Sequence, residues 1–97
     1  METQHEKLLT AKIRIDLEGD LDESMSEHIS DTLEAITRSR LTFVTISLRH
    51  IRKTCWGAVC AFSEIVRESR EKGMDIRVAD AQPRVALLLH ASGLPFA

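Results

Sequence analysis

Residues 41–66 read LTFVTISLRHIRKTCWGAVCAFSEIV and determine the fold class. Residues 41–48 are rich in β-branched side chains and carry no formal charge, which is typical of a central strand covered on both faces. Residues 49–54 are polar and mostly basic, so we predict a connecting loop there. Apolar side chains then recur at the spacing of one helix face: Ala58, Ala61, Phe62, Ile65 and Val66. The stretch predicts a strand, a loop and a helix in succession.

The chain before this stretch predicts a similar unit. Residues 12–17 alternate apolar and charged side chains, which indicates a strand with one wet face that ends at Gly19. We also predict that Leu8 and Leu9 begin a preceding short strand. A helix follows to about residue 37, and its inward positions are Met25, Ile29, Leu33 and Ile36. Two overlapping capping boxes mark its start: Asp20 with Glu23, and Ser24 with Glu27.

The last third of the chain predicts one more strand and one more helix. Gly73 ends the second helix, and residues 75–79 form a short core strand. Pro83 opens the last helix, which closes at Ser92-Gly93-Leu94 and turns Val85, Leu88 and Leu89 inward. The order β(β)αβαβα predicts an α/β fold: a mixed, largely parallel four-stranded sheet flanked by three to four helices.

Size and charge exclude several classes of protein. A chain of 97 residues forms one domain, residues 1–97, with one modest core and no room for a closed barrel enzyme. A net charge of −2 argues against a nucleic-acid binder. The two cysteines form no metal or disulfide pattern, the histidines have no ligand spacing, and no apolar run is long enough to span a bilayer. We therefore expect a cytoplasmic protein without metal or cofactor.

Four landmarks, in this order, resemble the STAS domain of anti-sigma factor antagonists, sulfate transporters and related regulators. They cover residues 8–94 and are Gly19-Asp-Leu-Asp22 before the first helix, the apolar strand that ends near Leu48, Gly57 at the second helix, and Pro83-x-Val85 followed by Ser92-Gly93-Leu94. The resemblance implies a STAS-like fold, no cofactor, and work as a protein-binding switch.

The resemblance also places a regulatory motif between the central strand and the second helix. In the family this motif is Asp-Ser-x-Gly, and its serine is phosphorylated by an anti-sigma factor kinase. Aligned on Gly57, this chain has Thr54-Cys55-Trp56-Gly57. Because a thiol stands where the family has a hydroxyl, we expect no phosphorylation at Cys55.

Each residue of this segment has a functional and a structural interpretation. Trp56 is either an exposed anchor for a partner or a lid folded over the core. Thr54 is either a phosphoacceptor or a helix-capping residue that bonds the backbone of Trp56 or Gly57. Cys55 is either a redox-sensitive thiol, activated by Arg52 and Lys53, or an inert small side chain.

The segment just before the motif is basic. Residues 36–63 contain five basic residues and no acidic one, whereas residues 1–35 contain ten acidic residues against three basic ones. Arg49, His50, Arg52 and Lys53 therefore indicate either a patch for an anion or acidic partner, or a solvated loop.

We expect a non-enzymatic interaction module of the anti-sigma factor antagonist type, whose partner is an anti-sigma factor or a serine-kinase-like regulator. The partner-binding residues would be Arg52, Lys53, Thr54, Cys55, Trp56 and Gly57. Three alternatives stay open: a STAS subunit that regulates the ATPase of a lipid-transport ABC complex, a redox sensor based on Cys55, and binding of a nucleotide or other phosphate ligand. Weak homodimerisation is also open.

Overall fold

Three parallel strands form the sheet on which the other elements pack. The computed structural model describes residues 12–39 and 43–94. The elements are β1 (Lys12–Leu21), α1 (Glu23–Arg38), β2 (Phe43–Thr54), α2 (Trp56–Glu71), β3 (Asp75–Ala79) and α3 (Pro83–Ala91). The strand order is β1-β2-β3, and both pairs are parallel. The α/β class and the alternation of strands with helices are confirmed, while the strand expected at Leu8 and Leu9 lies outside the described residues.

The core lies between the sheet and the first two helices, which pack against each other. Val44, Ile46 and Leu48 alternate along β2, which places all three on one face, and each is buried. The predicted helix stripes meet this face, and their fully or nearly fully buried members are Ile29, Leu33, Ile36, Ala58, Phe62 and Val66. Because these side chains follow the 3.6-residue period of a helix, they form one apolar face on each helix, and this face packs α1 and α2 against the sheet.

The opposite face of the sheet is open to solvent along the outer strands. Arg14 in β1 and Arg77 in β3 are exposed there, and Phe43 in β2 is 37% exposed. The expectation that β2 is covered on both faces is therefore wrong at Phe43, although Ser47 on the same face is buried. The Ser47 hydroxyl is hydrogen-bonded to the Asp80 carboxylate, which covers this position.

The largest correction concerns residues 49–54, which belong to β2 rather than to a loop. β1 does not end at Gly19 either, and the two strands stay paired to Leu21 and Thr54. Between Asp16 and Asp20 the register shifts twice, and each shift adds one residue on the β2 side. Extra residues of this kind are β-bulges, which break the alternation of side chains and so accommodate a polar run within a strand.

The start of α1 also differs from the sequence prediction. Asp22 is the N-cap, and its carboxylate accepts a 2.9 Å hydrogen bond from the backbone nitrogen of Met25. Neither predicted capping box operates, because Asp20 still belongs to β1 and Ser24 is already inside the helix. The end of the strand therefore selects the capping residue among several suitable ones.

Asp80, just after β3, ties the three strands together on the open face. Its carboxylate accepts hydrogen bonds from Arg14 in β1 at 3.0 Å and from the Ser47 hydroxyl in β2 at 3.1 Å. The hydrogen bond from Arg14 and then that from Ser47 hold the pKa of Asp80 below its ordinary value. Asp80 has a φ of +61°, a left-handed conformation that aspartate tolerates better than most residues.

We expect Phe62→Ala to destabilise the fold by about 3–5 kcal/mol, because the ring is fully buried and its removal leaves a cavity. Urea unfolding followed by circular dichroism measures this. Leu87→Ala is the control, because Leu87 is 71% exposed and should change the free energy of unfolding by no more than about 0.5 kcal/mol. Equal losses in the two variants would contradict the placement of the core.

We expect Arg14→Ala to weaken the pH dependence of stability in acid. A carboxylate whose pKa is lower in the folded state stabilises the fold above its unfolded pKa of about 4, and this contribution disappears as the pH falls through the folded pKa. Urea midpoints between neutral pH and strong acid should therefore fall less steeply in the variant. Arg38→Ala, which removes an exposed ion pair with Glu34 on α1, is the control. A slope unchanged by Arg14→Ala would refute the role of the Asp80 contact.

Candidate functional site

The carboxyl ends of parallel strands meet at one edge of a sheet, and here the predicted motif lies at that edge. β1 ends at Leu21 and β2 at Thr54, which are directly paired. α2 begins at Trp56, and α3 begins at Pro83 shortly after the end of β3. In open α/β sheets ligands bind outside the carboxyl ends of the strands. The structure places the predicted segment, residues 52–57, at that edge, next to the start of α3.

Trp56 is the first residue of α2, and it is 49% exposed. With about half of its surface open to solvent, the residue is not sealed inside the fold and is accessible to a partner. Gly57 beside it is exposed as well, and a Cβ built there would meet no group from another element within 4 Å. Trp56 and Gly57 therefore lie at an exposed helix end.

Thr54 is half-buried and connects β2 to β1. Its hydroxyl donates a 3.2 Å hydrogen bond to the carbonyl oxygen of Leu21. The alternative in which Thr54 caps α2 through the backbone of Trp56 or Gly57 is wrong, because the N-cap is the next residue. A phosphate on Thr54 would remove the hydrogen atom used in this bond, and phosphorylation at this position stays a prediction.

Cys55 occupies the N-cap of α2 in extended backbone conformation, with φ −136° and ψ 167°. Its side chain makes no capping hydrogen bond, and its thiol is free and exposed. Cys60, one helical turn further on, is also free and only partly buried. Cys55 therefore holds the serine position of the resembled motif without the hydrogen bond that a serine would make there.

Arg52 and Lys53 line an open cleft of about 530 Å³ at the end of β2. Its opposite side is formed by the start of α3, where Arg84 adds a third cation. Arg84 was missed by the sequence analysis, since it lies some thirty positions away along the chain. The only local signal was Pro83, which marked a helix start but not the position of that helix.

The other half of the predicted basic patch lies in a different depression. Arg49 and His50 line a shallower hollow of about 360 Å³ together with Glu18, and Arg52 borders both. Glu18 is the register partner of His50 in β1. This hollow therefore contains both acidic and basic groups. The predicted basic patch, residues 49–53, is thus divided between the mixed hollow and the basic cleft.

Neither a comparison with protein-family models nor one with curated proteins finds a match for this chain. Among residues 12–39 and 43–94, His, Cys, Asp and Glu form no group of three or more that could hold a metal ion. Within the same ranges no helix is long and apolar enough to cross a bilayer.

We expect Cys55→Ser to stabilise the protein by about 0.5–1 kcal/mol, because a serine hydroxyl at the N-cap accepts a hydrogen bond from a backbone amide of the first turn. Thermal unfolding at neutral pH measures the gain. Cys60→Ser is the matched control, since a serine at this position, inside α2 rather than at its N-cap, does not cap the helix and should give no gain. Stabilisation by both changes, or by neither, would contradict the capping geometry.

Proposed function

We propose that this chain is a non-enzymatic protein-interaction module of the anti-sigma factor antagonist type. Its docking surface comprises Arg52, Lys53, Thr54, Cys55, Trp56 and Gly57. The observation that supports the proposal is the exposed indole at the start of α2. Tryptophan is enriched among the few residues that dominate binding energy at protein interfaces.

The position of the ring favours tight docking. α2 is anchored to the core by Phe62 and Val66, which are fully buried. The first turn that carries Trp56 is therefore held before a partner arrives, and little conformational entropy is lost on binding.

The chemistry of the two nucleophilic side chains favours binding over group transfer. A catalytic nucleophile needs an adjacent base in hydrogen-bond contact. Thr54 donates instead to a backbone carbonyl, and the Cys55 thiol has no hydrogen bond with a described side chain. With cysteine at the serine position, the proposed interaction is constitutive or is controlled by the partner.

The resemblance and the composition support a cytoplasmic anti-sigma factor or serine-kinase-like regulator as the partner. The principal alternative is the ATPase of a lipid-transport ABC complex, for which the resemblance implies a threonine in the same loop, as Thr54 is here. Both partners would use the same docking surface, and the identity of the captured protein distinguishes them.

Affinity capture from the native cells with wild type, Trp56→Ala and Phe43→Ala tests the proposal. We expect Trp56→Ala to weaken binding by about 2 kcal/mol, or about 30-fold, because a half-exposed indole would be fully buried by a partner. Phe43 is the matched control: it is an exposed aromatic residue at the opposite end of β2. Retention of the same partner by wild type and Trp56→Ala would refute Trp56 as the docking anchor.

A further inference from the structure

Among the residues that the structure describes, the cleft between the end of β2 and α3 is lined by cations and by no acidic residue. Arg52, Lys53 and Arg84 are all exposed, and none of them forms an ion pair with a described acidic residue. The described ion pairs use Arg14 and Arg38, which lie elsewhere. Three cations around one cleft create a positive field that favours an anionic ligand.

Apolar side chains line the same cleft. Val85 is 4% exposed and belongs to the core, and Leu88 is partly buried against it. Pro83 adds a third apolar group. A ligand that fits this cleft therefore has both negative charge and an apolar group.

The walls of the cleft are fixed in position. The Gln82 side-chain amide donates a 3.1 Å hydrogen bond to the carbonyl oxygen of Arg49, which ties the start of α3 to β2. Val85 and Leu89 anchor the same helix in the core. A cleft whose walls are already held binds with a smaller loss of conformational entropy.

We infer that this cleft binds a segment of a protein partner in which carboxylates flank an apolar side chain. The inference rests on the proposed function, because it assumes that the chain docks on a protein. The volume of the cleft, about 530 Å³, lies within the range of about 300–1,000 Å³ that is typical of ligand-binding clefts. Arg52, Lys53 and Thr54 belong to both the cleft and the docking surface, so one partner can cover Trp56 and fill the cleft.

A free phosphate ion fits the cleft less well than such a segment. It would use the cations but leave the apolar surface of Pro83 and Leu88 without a partner. The three cationic side chains are exposed rather than held in a compact donor set, whereas tight phosphate sites place several donors around one group. Charge and apolar surface together therefore favour an acidic peptide segment.

The test uses isotope-labelled protein and synthetic blocked peptides, with binding followed by backbone NMR shifts. The probe is EELLEE, and its controls are QQLLQQ, which lacks the charges, and EEAAEE, which lacks the large apolar groups. We expect EELLEE to shift the amides of Arg52, Lys53, Arg84 and Leu88, and each control peptide to bind at least about tenfold more weakly. Equal binding of all three peptides, or the same shifts with millimolar inorganic phosphate and none with EELLEE, would overturn the inference.

Charge reversal in the protein provides the second arm. Arg84→Glu should weaken EELLEE binding at least about tenfold, since it places a carboxylate in the cleft. Arg77→Glu makes the same change in net charge on the open face of the sheet and should leave binding unchanged. Circular dichroism of both variants serves as the check that they are folded. Equal effects of the two variants would show a general charge effect and refute the site.

A second copy of this chain is the rival occupant, because α1 exposes Glu23, Glu27 and Asp31 at helical spacing. Sedimentation of the wild type and Arg84→Glu distinguishes it: dimers lost in the variant would overturn the inference. Capture from cells separates this inference from the proposed function. Loss of the partner with Trp56→Ala but not with Arg84→Glu would refute the cleft alone, and the reverse result would refute only the indole as the docking anchor.

Discussion

The pairing of β1 with β2 as far as Leu21 and Thr54 is the constraint on which the whole site depends. The Thr54 hydroxyl strengthens this last pair by donating to the Leu21 carbonyl. Because the chain stays extended up to this point, Cys55 becomes the N-cap and Trp56 the first helical residue. A ladder that ended earlier would begin α2 elsewhere and would turn the indole in another direction. The orientation of the candidate anchor is therefore a consequence of strand pairing.

The two β-bulges in the same ladder explain how a strongly basic run can lie in a central strand. In a regular strand every second residue of 49–54 would point toward the helices, and a cation would be buried there. The extra residues let Ile51 alone enter the core while two adjacent polar pairs stay outside. Arg52 and Lys53 reach the cleft beside α3, and Arg49 and His50 face the mixed hollow near Glu18. The two β-bulges therefore determine on which side each basic side chain lies, which the composition of the segment does not show.

Features with a strong local period were predictable from the sequence. The third strand, residues 75–79, was predicted correctly, and most predicted inward positions of α1 and α2 are buried, because side-chain spacing largely determines them. Val59 and Ser63 of α2 are also buried and were missed, whereas Met25 and Ala61 are only half-buried. The end of β2 was not predicted, because its polar composition is typical of a loop. These residues form a strand because they pair with β1, which is distant in the sequence. Arg84 was missed for the same reason: its place in the cleft depends on how α3 packs. The exposure of Trp56 depends on the residue at which α2 begins. The spacing of apolar residues in the sequence does not determine that residue.

The open face of the sheet has a consequence for how this protein can change over time. On the helix side, Val44, Ile46 and Val78 are locked in a close-packed interior, where a change of one methylene group requires compensation by neighbours. Lys12 and Arg77 on the other face are exposed to solvent instead of packed, although they lie in the same parallel-paired strands. Sequence drift should therefore concentrate at alternate positions of each strand. New specificity could accumulate on that surface without loss of the scaffold.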